Sequence, residues 1–199
     1  MKISAILPNF IKTSILSTTI GISPTNISAQ DFTSRDTFEY KQIVLDEKEL
    51  LAKAPSPRVL LKGKEVNVTL LADLSKNLLF QYDSQGKPER VFPVASGKQS
   101  SPTTKGLRII SHVESFPYKN APKTCKRRKT PNVYGANVII VEALDQKTGV
   151  KSATSQFLHG TNNPSSIGKY ASAGCVRMYK KDIQYLAKLV KHGNLYLIK

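Results

Sequence analysis

The chain has 199 residues, 40% of them hydrophobic, and 30 Lys and Arg against 14 Asp and Glu, for a formal net charge of +16. That length leaves room for one domain with a proper core and little beside it. No apolar run approaches the roughly 18–20 residues of a membrane-spanning helix, and so strong a basic surplus favours acidic partners such as nucleic acid, anionic lipid headgroups or anionic wall polymer.

Residues 1–29 hold Lys2 and Lys12 and no acid, then an apolar stretch from Ile15 to Ile22, then Pro24 and small residues up to Ser28-Ala29-Gln30. This is the order of a secretory signal peptide with cleavage after Ala29, although Ser and Thr interrupt its apolar centre. An uncleaved N-terminal anchor and a disordered arm are the alternatives. The expectation is an exported protein of the periplasm or cell wall. Residues 30–58 are polar, end in Ala54-Pro55-Ser56-Pro57, and read as a linker with one short helix near residues 45–53.

From Val59 to Lys199 the pattern becomes that of one domain of short strands. Residues 66–70 and 77–82 are strand-like, with a turn at 73–76, and a second turn at 83–87 leads into 90–94. Strands follow at 107–112 and 136–142, and Phe157-Leu158 brings another up to His159. A helix is expected over Lys181–Lys191, with Ile183, Leu186, Ala187 and Val190 on one face and Gly193 just past its end. Leu195–Ile198 closes the domain as a strand. The fold class is therefore mainly β, a sandwich or barrel of short strands with a short helix near the C-terminus.

Between residues 119 and 129 stand Lys119, Lys123, Lys126, Arg127, Arg128 and Lys129 with no acid among them, bracketed by Pro117, Pro122 and Pro131. The segment reads as a loop: either a solvated surface or a lid that guides an acidic substrate. It lacks the interleaved aromatics that stack bases, and no nucleic-acid motif accompanies it, so nucleic acid is not an expected partner.

Residues 159–178, HGTNNPSSIGKYASAGCVRM, carry the chemistry. His159 precedes Cys175 by sixteen residues, Gly174 stands just before the cysteine, and Arg177 two residues beyond it. A thiol becomes a useful nucleophile when an imidazole takes its proton, and a thiolate–imidazolium pair is one available resting state because each charge stabilises the other. Backbone N–H groups of Gly174 and Cys175 are the natural donors to an oxyanion. Arg177 can grip a carboxylate with two hydrogen bonds or serve a structural ion pair. Ser172 can orient the loop or the substrate, or cap a turn. The other cysteine, Cys125, sits among cations and is taken as incidental; a Cys125–Cys175 disulfide would silence the nucleophile. Neither cysteine has the spacing of a zinc site, so no metal is expected.

The string resembles the active-site signature of the YkuD-type L,D-transpeptidases, bacterial enzymes that cross-link or trim peptidoglycan. His159-Gly160-Thr161 opens the pattern, Ile167-Gly168 falls in its middle, and Ser172, Gly174, Cys175, Val176 and Arg177 close it. Ala173 stands where many members have a second histidine. A second, looser match is Val94-Ala95-Ser96-Gly97-Lys98 with Pro102-Thr103 and Gly106, in which Lys105 is extra and no aromatic follows the glycine. The resemblance covers about residues 66–198. It implies that residues 59–199 form a catalytic domain needing no cofactor, with the Gly160 carbonyl orienting His159 and with Arg177, Ser172 and Thr161 on the substrate side. It also implies a peptidoglycan stem tetrapeptide as donor, cut before its terminal D-alanine. A second stem amine, giving a 3→3 cross-link, or water takes the acyl group, and carbapenems inhibit by acylating Cys175. Sortases share His, Cys and Arg but place the histidine much farther ahead, without His-Gly-Thr. A non-catalytic wall-binding protein on the same scaffold is the alternative from another class.

Overall fold

Leu70, Leu71 and Ala72 are all buried, as are the five residues from Leu78 to Tyr82, so these strands are covered on both faces. That is the mark of a sheet lying between two apolar layers. The computed structural model describes residues 47–199. The expected signal segment and residues 30–46 of the expected linker lie outside the described residues.

The described part opens with helix α1 (Glu47–Ala52) and the hairpin β1 (Arg58–Leu61) and β2 (Lys64–Asn67). Then come β3 (Leu70–Asp73), β4 (Leu78–Tyr82), β5 (Pro88–Gly97), β6 (Gly106–Ser115) and one helical turn, α2 (Lys126–Lys129). The second half holds β7 (Asn137–Leu144), β8 (Lys151–Ala153), β9 (Leu158–Gly160), β10 (Tyr170–Ser172), β11 (Val176–Met178), α3 (Lys180–Leu189) and β12 (Leu195–Ile198). Strands β3 to β12 form a ten-stranded sheet in the order β5-β11-β9-β7-β6-β12-β3-β4, and β4 pairs back onto β5 to close it into a barrel. Strands β8 and β10 lie outside the ring, on β7 and β5 respectively. The protein is mainly β, with the short helix near its C-terminus.

Alternation along the strands sorts most of the apolar side chains into two large clusters, beside two small ones. One holds Leu70, Leu79, Val94, Ile110, Ile139, Leu158, Val176, Met178 and Tyr196, with Ile183 and Leu186 of α3 and Val190 just past its end packed onto it. The other holds Leu71, Phe80, Tyr82, Val91, Leu107 and Leu197, covered by Leu50, Leu51 and Ala54 from α1 and its exit and by Leu61 and Val66 of the hairpin. The end of the expected linker thus packs on the domain, and the Tyr82 hydroxyl donates to the Pro55 carbonyl at 2.6 Å.

Two differences from the sequence expectations have a common cause. The single strand expected at 66–70 divides, because Val66 pairs with Val59 while Leu70 pairs with Gln81 and Tyr196. Strands β5 and β6 run ten residues each, past their apolar stretches, because partners on both sides extend the ladders. Pairing with distant segments, not local composition, sets where these strands begin and end.

Candidate active site

Strands β9 and β11 run parallel and adjacent, with Leu158 opposite Val176 and His159 opposite Arg177. Leu158, Val176 and Met178 point into the first core cluster. The period-two alternation therefore sends His159 and Arg177 to the other face, and Cys175, two residues before Arg177, joins them. The Phe157 N–H, one residue before β9, donates to Cys175 Sγ at 3.4 Å, which ties the thiol to the histidine's strand.

His159 is 3% exposed. Its Nδ1 lies 2.5 Å from the Gly160 carbonyl, which can only accept, so Nδ1 carries the hydrogen and Nε2 keeps a free lone pair. Two contacts hold that carbonyl in place. A Cβ on Gly160 would lie 3.0 Å from Ile183 Cγ2 of α3, and one on Gly135 would lie 2.8 Å from the Gly160 carbonyl carbon. Gly135 has φ of +68°, a left-handed conformation that suits glycine. The Tyr134 ring leans on the imidazole with centroids 4.8 Å apart. Burial holds the imidazolium down, to a pKa of about 4, against the pull of the Gly160 and Tyr134 carbonyls and with help from the Arg177 charge.

Burial likewise pushes the half-buried Cys175 thiol above its ordinary value, only partly offset by the Phe157 N–H and the charges of Arg177 and Lys126. Burial thus favours the neutral form of both groups, and the thiol lies between the Phe157 N–H and the Ser155 carbonyl, at 3.4 and 3.8 Å. Around the cysteine, Ser172 Oγ closes a tight turn: it donates to the Cys175 carbonyl at 2.6 Å and accepts the Gly174 N–H at 3.1 Å. Of the two N–H groups expected to face an oxyanion, Gly174's is thus engaged. The Cys175 N–H has no hydrogen-bond partner among the described residues. Arg177 enters no ion pair among the described residues, and its Nε is buried without a hydrogen-bond partner. Thr161 Oγ1 accepts the Asn163 N–H at 3.0 Å and so braces the turn after β9.

The basic segment differs from its expected form. It contains the helical turn α2, and two of its cations are structural. Arg127 makes a two-pronged ion pair with buried Glu114 at 2.5 and 2.7 Å, and His112 lies on the same carboxylate at 3.2 Å. Arg128 donates to the Tyr118 carbonyl. No acid occurs within the segment, but Glu114, on β6, supplies one from outside it. The Arg127 guanidinium also lies 5.5 Å from the Phe157 ring centroid, which links α2 to the residue that contacts the thiol. Lys119, Lys123, Lys126 and Lys129 stay exposed. Cys125 is a free thiol, half-buried against the cluster of Tyr118, Ala121 and Val138. No group of three or more His, Cys, Asp or Glu side chains able to hold a metal ion occurs among the described residues.

Sequence reasoning passed over Tyr134, Gly135, Glu114 and Gln156. Tyr134, Gly135 and Gln156 reach the site from outside the motif, while Glu114 acts on it only through Arg127; only Gly135, beside an aromatic in a Pro-started turn, carried a local signal.

The family model for the YkuD L,D-transpeptidase catalytic domain matches residues 67–198. YqjB of Bacillus subtilis (strain 168) is 30% identical over 112 residues, 56% of this chain and 60% of that protein. YkuD of the same strain is 58% identical over 36 residues, 18% of this chain and 22% of that protein. The chain thus spans three fifths or less of these relatives. The structure of Bd1075 from Bdellovibrio bacteriovorus superposes with a TM-score of 0.51 at 20% identity, covering 73% of this chain and 53% of that one, a likeness of fold.

Proposed function

Because the chain belongs to the YkuD family of L,D-transpeptidase catalytic domains, we propose that it is a cysteine acyltransferase acting on the stem peptides of peptidoglycan. The observation that carries this is the pairing of β9 with β11. That pairing, with His159 Nδ1 committed to the Gly160 carbonyl, supports His159 Nε2 as the base for Cys175.

In this mechanism Cys175 Sγ attacks the carbonyl carbon of the bond to the terminal D-alanine, and His159 Nε2 takes the thiol proton during attack. Proton transfer accompanies attack, a course favoured by the burial that pushes both groups toward their neutral forms. The tetrahedral oxyanion receives the Cys175 N–H; a donor of this kind is worth about 3–4 kcal/mol in the transition state. The carbon–nitrogen bond breaks, the imidazolium returns its proton to the leaving amine, and a thioester remains on Cys175. An acceptor amine then attacks the thioester, passes a proton to His159, and expels the thiolate, which is reprotonated. With water as acceptor the same steps trim the stem to a tripeptide.

Arg177, free of carboxylate partners among the described residues, is suited to a substrate carboxylate. The exposed lysines around α2 suit an acidic stem or anionic wall polymer. A peptidoglycan substrate lies outside the cytoplasmic membrane, which supports residues 1–29 as an export signal. Carbapenems, whose strained carbonyl is open to a thiol, are expected to acylate Cys175.

The test is to incubate the full chain with a disaccharide-tetrapeptide and weigh the products. Cross-linked dimer or tripeptide with free D-alanine, slowed by orders of magnitude in His159→Gln, is expected. Unaltered substrate, or an unchanged rate in the variant, would refute the assignment.

A further inference from the structure

Gln156 lies three residues before His159, outside the motif, and reaches both the 102–104 loop and the turn before Cys175. Its Oε1 accepts the Thr104 N–H at 2.8 Å, and its Nε2 donates to the Pro102 carbonyl at 3.0 Å. A backbone N–H can only donate and a carbonyl can only accept, so the amide has one possible orientation.

The loop that it grips is itself fixed. Arg108, 5% exposed, donates through Nη2 to the Thr104 carbonyl at 3.0 Å. Buried Thr103 accepts the Gly97 N–H through Oγ1 at 2.8 Å. On its other side the Gln156 amide lies against Gly174. A Cβ there would stand 2.6 Å from Nε2 and 3.1 Å from Cδ. Gly174 has φ of +108°, a conformation that L side chains rarely adopt, and the peptide that follows it carries the Cys175 N–H. The turn is therefore held from inside by Ser172 Oγ and from outside by the Gln156 amide.

We propose that Gln156 is a positioning residue for acyl transfer: a strut from the anchored 102–104 loop that braces the Gly174–Cys175 turn and aims the Cys175 N–H at the developing oxyanion. The proposal rests on the acyl-transfer function above. An oxyanion donor acts only within about 2.7–3.1 Å of the oxygen, so a small shift of this turn forfeits it. The thiol itself is held by backbone groups on either side of Gln156, the Phe157 N–H and the Ser155 carbonyl, and not by the Gln156 amide.

Two reactions of the same cysteine separate these roles. Acylation by a carbapenem builds an oxyanion; alkylation by iodoacetamide needs the thiolate but builds none. Both rates are read from intact-protein mass on the full chain, for the wild type and for Gln156→Met, which keeps length and bulk but loses both hydrogen bonds. Acylation is expected to fall at least about tenfold, a fraction of the effect of deleting a donor outright, with alkylation within about twofold. Gln156→Leu, also uncharged, is expected to show the same split. Unchanged acylation overturns the proposal, and so does loss of both reactions together, through unfolding or otherwise. A wild-type protein that is alkylated but never acylated at Cys175 defeats the acyl-transfer function itself, a result distinct from a variant that acylates normally.

Discussion

Between neutrality and about pH 4.5, acidification should destabilise this protein chiefly through His159. Its folded pKa of about 4 lies below the ordinary 6.5, chiefly because the ring is buried. Between those values the unfolded chain binds the proton and the folded protein does not, so acid favours unfolding. The stability that the neutral ring supports is fully present above pH 6.5 and is lost as pH falls toward 4. At about 1.4 kcal/mol per pH unit, the whole span is worth about 3 kcal/mol. The carboxylates Asp73 and Glu114, whose pKa values lie below their ordinary 3.8 and 4.5, begin to lose their contribution only as pH falls below those ordinary values. Urea unfolding of the wild type and of His159→Gln at about pH 7 and about pH 4.5 isolates the effect. The wild type is expected to lose about 2–3 kcal/mol more than the variant over that interval. Equal losses would mean that His159 is not buried neutral, and the resting site would have to be redrawn.

Three further outcomes follow from the same geometry. Iodoacetamide alkylation of Cys175 is expected to keep rising with pH through 9, since burial raises the thiol above that ordinary value; a plateau near neutrality would reveal a preformed ion pair. Gly135→Ala places a methyl against the Gly160 carbonyl carbon in a left-handed conformation. It is expected to cost about 1–3 kcal/mol of stability and to slow carbapenem acylation in a stopped-flow assay; wild-type rates would show that the His159 tether tolerates movement. Glu114→Gln leaves Arg127 half-buried without its carboxylate and is expected to cost about 3 kcal/mol in denaturant unfolding, part of which Glu114→Gln with Arg127→Met restores. A double variant no more stable than the single one would contradict a paired role.

The strand-rich class and the family were legible because their signals are local: alternating apolar runs between turns, and a motif contained in 159–178. The barrel's closure was not. It depends on β11 lying between β5 and β9 and on β12 lying parallel to β3, pairings between segments whose local sequence names no partner. The same limit applies around the site. Cys175 and His159 stand out in one string, but the groups that hold them come from elsewhere: Gly135 against Gly160, and Gln156 and Thr104 beside Gly174. Arg127 and Arg128 read as free cations only while the window stopped short of Glu114 and the Tyr118 carbonyl. The resting protonation state was equally out of reach, since burial of His159 and Cys175, and not their spacing, decides it.

The most direct test is to mix the full chain briefly with a stem tetrapeptide, quench in acid, and map the modified peptide by mass spectrometry. A thioester on Cys175 with the mass of the acyl tripeptide, absent from Cys175→Ala together with D-alanine release, is the predicted result. D-Alanine release that persists in Cys175→Ala, or an adduct on any other residue, would contradict it.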